Sequence, residues 1–318
     1  MNRSALIRTP SRIAFAGASF FTKDAQEVKI NQDTIEIKTD AHGKVDERVI
    51  DVMAVATGTP EGRWSAAIIA ALWPYSNTTV GTDVYNLVGG TDTDTPCEFH
   101  CSDSSLVTLI AAAITKMPSL KFSSKESLVG QVEITGVRGN DMAWDDADSL
   151  ISVAATGGDI ADATFAPALI KTQPYTGVLT GVSGFDTGFD TEDGFEFVPE
   201  VKLQDGETNN VGKITKHFVE ASALVKCKPV GPTIDQILAA AYVQDTGASR
   251  GQSLAAVGVE LVITGGDGID YLTIPNAAIK GPGFRFGALT LQNGEIGFVA
   301  SRTYSAGVQQ PLWTLAAS

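Results

Sequence analysis

The sequence predicts a mainly β protein made of two tandem copies of one domain, each a β-sandwich or barrel with one flanking α-helix. Three observations lead there. Gly (32) and Pro (13) are spread along 318 residues between short runs of Val, Ile, Thr and Phe, which is how strands joined by turns are punctuated. Apolar residues make up 43% of the chain, enough for a substantial core at this length. The chain also matches itself at an offset of 169: residues 43–73 run beside 212–242 without a gap, and eight of those 31 pairs are identical. Average composition would supply about two.

The identities include Gly43-Lys44 with Gly212-Lys213, Pro60 and Gly62 with Pro229 and Gly231, and Ala70-Ala71 with Ala239-Ala240. A second block follows at an offset of 164, where Pro118, Leu120, Phe122, Gly130, Val132 and Ile134 meet Pro282, Phe284, Phe286, Gly294, Ile296 and Phe298. Paired Gly-Lys and Pro-x-Gly phrases are not products of simple alternation, so the match is read as a duplication.

Each copy opens with an alternating strand, residues 45–56 or 214–225, followed by a turn on Pro-x-Gly. A helix comes next. In the second copy Ile234, Ile237, Leu238 and Ala241 fall at i, i+3, i+4 and i+7, with Pro232 expected at the first helical position. In the first copy Ile68, Ile69 and Leu72 take the matching places and Pro74 ends the helix. Further strands are expected at 97–102, 106–109, 120–122 and 131–135, answered by those of the second copy. The predicted organisation is copy 1 at 13–150, a connecting segment with some strand at 151–182, copy 2 at 183–304 and a C-terminal arm at 305–318. Residues 183–196 hold a doubled acidic phrase, Phe185-Asp186-Thr187-Gly188 and Phe189-Asp190-Thr191-Glu192, with no evident equivalent in copy 1.

Composition narrows the function. Lys+Arg 23 against Asp+Glu 37 gives a net charge of −14, the opposite of a phosphate-neutralising surface. Three Cys (Cys97, Cys101, Cys227) and three His are too few for a disulfide scaffold or a multi-metal site. Cys97-x-x-His100-Cys101 has metal-like spacing, but strand alternation turns His100 away from the two thiols, so buried structural cysteines are expected. The acidic pairs lack the full calcium-loop pattern, and no phosphate loop, nucleophile elbow or Cys/His pair is evident. No enzyme activity and no cofactor are expected. Residues 1–12 carry three Arg but only Leu6-Ile7 as strongly apolar residues, so no export signal is read. No apolar run approaches the roughly 20 residues that span a bilayer.

Two phrases carry a resemblance. Thr115-Lys116-Met117-Pro118-Ser119-Leu120, followed by Lys125-Glu126-Ser127-Leu128-Val129-Gly130-Gln131-Val132-Glu133-Ile134, resembles the central strands of tail tube (major tail) proteins of long-tailed bacteriophages. Phe284-Arg285-Phe286-Gly287 with Gly294-Glu295-Ile296-Gly297-Phe298-Val299-Ala300 resembles the closing strands of that family. The resemblance implies a virion structural protein whose domains ring six-fold around a channel and stack into a tube for DNA delivery. It places the protein in the virion tail, assembled in the host bacterial cytoplasm. The implied partners are further copies of itself, other tail proteins (tape measure, terminator, baseplate or sheath) and passing DNA that is not specifically bound.

Two copies per chain would make the ring a homotrimer with pseudo-six-fold symmetry, and its acidic wall would repel phosphate. Phe185, Asp186, Phe189, Asp190, Leu312 and Trp313 are the expected contacts between subunits or rings. The alternatives are a carbohydrate- or cell-surface-binding β-module, a capsid decoration or tail terminator protein, or a hydrolase using a carboxylate pair among Asp141, Asp145 and Asp146.

Overall fold

The protein is described by a computed structural model over residues 12–23, 27–61, 65–82, 84, 95–101, 104–126, 128–137, 151–156, 171–208, 212–242, 258–280, 284–286, 291–305 and 308–316. The fold is mainly β and sandwich-like, with two short helices among the described residues. The first part of the chain runs β1 (Arg12–Phe15), β2 (Ala18–Thr22), β3 (Glu27–Thr39), β4 (Gly43–Gly58), β5 (Pro60–Glu61) and α1 (Ala66–Leu72). Next come β6 (Cys97–His100), β7 (Leu106–Leu109), β8 (Ala111–Lys116), β9 (Leu120–Phe122), β10 (Leu128–Val129), β11 (Val132–Val137) and β12 (Ile151–Ala154). The second part runs β13 (Tyr175–Leu179), β14 (Asp190–Thr191), β15 (Phe195–Thr208), β16 (Gly212–Cys227), β17 (Pro229–Val230) and α2 (Ile234–Tyr242). It closes with β18 (Val259–Gly265), β19 (Asp270–Lys280), β20 (Phe284–Phe286), β21 (Leu291–Asn293), β22 (Ile296–Ala300), β23 (Tyr304–Ser305), β24 (Val308–Gln309) and β25 (Thr314–Leu315).

The strands follow the period of two. β13 and β22 each bury every other residue, so Tyr175, Gly177 and Leu179 of one, and Ile296, Phe298 and Ala300 of the other, face the core while their neighbours face outward. The helices begin on caps. Ser65 accepts from the backbone N–H of Ile68 at 3.3 Å, and α1 turns Ile68, Ala71 and Leu72 inward. Thr233 and Gln236 cap α2 reciprocally: the Thr233 N–H donates to Gln236 Oε1 at 2.8 Å and the Gln236 N–H to Thr233 Oγ1 at 3.3 Å. The cap is therefore Thr233, and Pro232 precedes it instead of opening the helix.

Three large sheets result: β12-β7-β6-β1-β2-β5, then β3-β4-β11-β8, and a nine-stranded sheet ordered β10-β9-β15-β16-β22-β19-β18-β13 with β25 also on β19. Pairings recur at the sequence offset. Phe21↔Glu61 and Thr22↔Pro60 join β2 to β5, and Asp190↔Val230 and Thr191↔Pro229 join β14 to β17, 169 positions on. β4 and β16 are both 16 residues long, each opening on Gly-Lys and each paired with the strand before it. Residues 190 and 191 of the acidic insert thus pair in the manner of 21 and 22. The order β3-β4-β11-β8 parallels β15-β16-β22-β19. One difference stands out: Ile110 separates β7 from β8, whereas β19 runs through as 11 residues.

The segment 151–182 is divided between sheets. β12 pairs with β7, and β13 pairs with β18. The C-terminal arm is also tied down, because β25 pairs with β19 through Leu272↔Leu315 and Thr273↔Thr314. Most of the buried apolar residues form one cluster that draws on both parts of the chain, from Ile13 to Trp313.

Candidate assembly surface

Where the two parts of the chain meet, strand addition does the joining. β9 lies along β15 with Phe122↔Phe195, Lys121↔Glu196 and Leu120↔Phe197 in register. Phe122 packs edge-on to Tyr175 at 5.4 Å. Gly194, at φ +95°, lets the turn before β15 pass directly under the Phe122 carbonyl, where any Cβ would collide. Around this seam Lys125 Nζ donates to the Glu192 carbonyl at 3.1 Å, and Lys228 meets Asp193 at 3.1 Å. The hydrogen bond from Lys228 and its charge, helped by Lys125 and Lys121, hold the Asp193 carboxyl below its ordinary range.

The edge of β16 is covered in the same manner. The N–H groups of Gly81 and Val84 donate to the carbonyls of Phe218 and Lys216 at 2.8 and 2.9 Å, and the Phe218 N–H returns a bond to Thr82. Tyr75 stacks on Phe218 at 5.9 Å, and the Arg302 guanidinium lies 5.8 Å from the ring centre on Phe218. The Tyr75 hydroxyl donates to the Ile114 carbonyl at 2.5 Å, and burial raises its pKa. The β15–β16 hairpin is thereby covered at residues 195–197 and 216–218 by the first part of the chain.

Its counterpart β3–β4 is bare. Apart from the half-buried Val28 and Ile37, every residue of β3 is exposed. Ile30, Ile35 and Val45 are 53%, 52% and 50% exposed, an apolar content that a solvated hairpin does not need. β3 is an edge strand. Salt bridges of Lys44 with Glu47 and Glu36 and of Arg48 with Asp46 dress the hairpin's far end, but they lie in solvent and add little stability.

The residues expected to touch other subunits divide sharply. Phe185, Phe189, Leu312 and Trp313 are at most 2% exposed and serve the chain's own core. Phe185 and Phe189 pack edge to face at 5.0 Å, and Trp313 packs on Phe197 at 5.6 Å. Leu312 is held by its N–H on the Ser76 carbonyl at 2.8 Å. These four side chains offer a neighbour no surface; Asp186 and Asp190 are exposed. The bare hairpin and the β9–β15 seam are what sequence reasoning missed. The alternation of Val28, Ile30 and Ile35–Ile37 with polar residues was the available signal for the first, and nothing local signals the second.

No protein-family model matches the chain, and no curated protein does. Fold and geometry therefore carry the functional reading.

Cys97, Cys101 and Cys227 are free and buried. Burial raises the thiol pKa of Cys97 and of Cys227, with Glu98 and Glu295 adding to it, which keeps these thiols protonated and inert. His100 takes part in a row with Arg12 Nη2, 3.1 Å from Nδ1, and Glu98 Oε2, 3.2 Å from Nε2. Among the described residues no group of three or more His, Cys, Asp or Glu is placed to hold a metal. No described helix is long and apolar enough to cross a membrane. Asp141, Asp145 and Asp146 fall outside the described residues, as do residues 1–11 and the acidic pair Asp92 and Asp94. A cavity of about 260 Å³ beside the seam is lined by Ser123, Ser124, Tyr175, Asp190, Thr191 and Glu192, among others.

One carboxylate gives a pH expectation. Burial would raise the Asp267 pKa, but hydrogen bonds from Tyr271, Lys171, the Ile269 N–H and Gln173 outweigh it and hold the group at about 2 against an ordinary 3.8. With the folded value below the unfolded one, the ionised form favours the fold. Its contribution is full above about pH 4 and is lost as pH falls through about 2. In acid titrations followed by circular dichroism, Asp267→Asn should flatten the stability loss across that window. An unchanged acid limb would remove Asp267 from the account.

Proposed function

We propose that the chain carries two copies of one β-domain, each with its flanking helix, and that it is a structural tube protein of a long-tailed phage. In this reading it assembles with itself into trimeric rings of six pseudo-equivalent domains, which stack around a channel for DNA. The observation that carries the reading is the unequal treatment of two matching hairpins: β15–β16 is covered at residues 195–197 and 216–218 by the first part of the chain, while β3–β4, 169 positions earlier, stands open. A self-assembling ring of duplicated domains requires one such interface inside the chain and leaves one half-interface at each end.

Further support comes from the recurring registers of β2–β5 and β14–β17, the parallel strand orders and the resemblance of the 115–134 and 284–300 phrases. The net charge of −14 suits a channel that must not retain DNA. Phage tail proteins at the tube ends are the further partners of this reading, and it assigns the protein no catalytic role.

Negative-stain electron microscopy of the purified chain tests it. The expected result is rings or stacked tubes whose three-fold averages show six lobes. Six-fold rings of whole chains would overturn the trimer, and a chain that stays monomeric at high concentration would favour a surface-binding β-module instead.

A further inference from the structure

We infer that the β20–β21 hairpin of one chain adds as a strand pair to the β3 edge of the next, in the register that β9 and β15 use within the chain. The inference deepens the ring reading and rests on its duplication. β20–β21 stands where β9–β10 stands, 164 positions earlier. Both are antiparallel hairpins, with Leu128↔Lys121 and Val129↔Leu120 in one and Phe284↔Asn293 to Phe286↔Leu291 in the other. β9 pairs on its second side with β15, whereas β20 has no strand partner besides β21 among the described residues. β3 stands where β15 stands and, among the described residues, pairs with no strand besides β4. The chain thus contains one complete joint and the two separated halves of another.

Transferring the register fixes which residues meet. Lys121 is opposite Glu196 within the chain; the offsets of 164 and 169 put Arg285 of one chain opposite Glu27 of the next. By register a cationic residue stands across from an anionic one in both joints, although Lys121 itself bonds to Glu126 on the β9–β10 hairpin, and cross-strand pairs of opposite charge are favourable where like charges are not. Leu120 opposite Phe197 becomes Phe284 opposite Val28, apolar in both cases. The occupant of the bare hairpin is accordingly a second copy of this chain, joined head to tail. Such a heterologous contact either closes into a ring or runs on as a filament.

Cysteine cross-linking decides it, since directly opposed strand positions lie within disulfide reach and the three native thiols are buried. Glu27→Cys protein mixed with Arg285→Cys protein should give, under mild oxidation, a species of doubled mass and nothing larger. The double variant should give a ladder that ends at the ring size. Lys121→Cys/Glu196→Cys should close within one chain, with no change in mass, which reports that the template joint is formed and the chain folded. Reversing one charge with Glu27→Arg should cost the oligomer, and adding Arg285→Glu should restore it.

Cross-linking no greater than that of Ile35→Cys with Arg285→Cys would overturn the joint, as would a chain that never oligomerises. Rings or tubes without the cross-link would leave the tube reading standing and remove this joint. A cross-linked ladder without tubes would do the reverse.

Discussion

Phe189→Ala is expected to destabilise the folded chain by about 4 kcal/mol, the middle of the range for emptying a buried Phe site. Phe189 is 2% exposed and is the hub of an aromatic group: Phe185 lies 5.0 Å away at 81°, Phe195 5.5 Å away at 69° and Phe298 6.1 Å away. Edge-to-face pairs of this kind contribute about 0.5–1.5 kcal/mol each beyond their burial. The backbone is engaged as well, since Gly177 and Phe189 exchange hydrogen bonds of 2.9 and 2.8 Å. Gly177 is glycine because a Cβ there would sit 2.7 Å from the Phe189 ring. Denaturant titration at several protein concentrations provides the check. A core role predicts a lowered midpoint at every concentration, including those at which the chain is monomeric. A Phe189 that anchored a neighbouring subunit would leave monomer stability unchanged and lower only the assembled fraction. Phe189→Leu, which keeps most of the volume, should retain a larger share of the stability.

Gly194→Ala is expected to cost about 3 kcal/mol or more, through strain and collision together. A left-handed backbone at a residue with a side chain costs about 1–3 kcal/mol, and Gly194 sits at φ +95°. The new methyl would also press on the Phe122 carbonyl and stand 2.8 Å from Ser123 Cβ. Neither neighbour is the tip of a flexible side chain, so relief requires moving β9 away from β15. The Gly194 N–H, which donates to Thr191 Oγ1 at 2.9 Å, would be drawn along. Thermal unfolding should show the lowered midpoint. Hydrogen exchange should show faster exchange first in residues 120–122 and 195–197, where the seam opens. Uniform loss of protection without that bias would mean that the seam is not where the strain falls.

Much of the fold was legible because it is written in local periods. The strands expected at 45–56 and 214–225 fall inside β4 and β16, each of which runs two residues further at either end, and the i, i+3, i+4, i+7 set at 234–241 falls inside α2 (Ile234–Tyr242). What escaped was long-range. The phrase Phe185-Asp186-Thr187-Gly188-Phe189-Asp190 reads as an acidic loop because its Asp residues are indeed exposed, yet its two Phe rings turn into a core supplied by Phe195 and Phe298. Trp313 follows the same logic, since Phe197 lies over a hundred residues away in sequence. Strand period tells which side chains share a face but not which edge receives a strand, so β9 on β15 could not be read from either segment alone. Gly177 and Gly297, each within an otherwise alternating strand, are local flags of a close approach.

The seam also sets how this chain must fold. Phe122 and Phe195 are adjacent in the sheet but separated by more than seventy residues, and the backbone hydrogen bond from Val84 to Lys216 spans more than a hundred. Neither contact stabilises anything until the intervening loop has been closed, so the entropic toll comes early and the return comes late. Folding should therefore be slow. Unfolding should proceed as one cooperative transition and not as two successive ones, because the nine-stranded sheet takes β9 and β10 from the first part of the chain and the buried core draws on both parts. Protease cleavage between residues 156 and 171 would then leave two fragments that remain associated and refold only together.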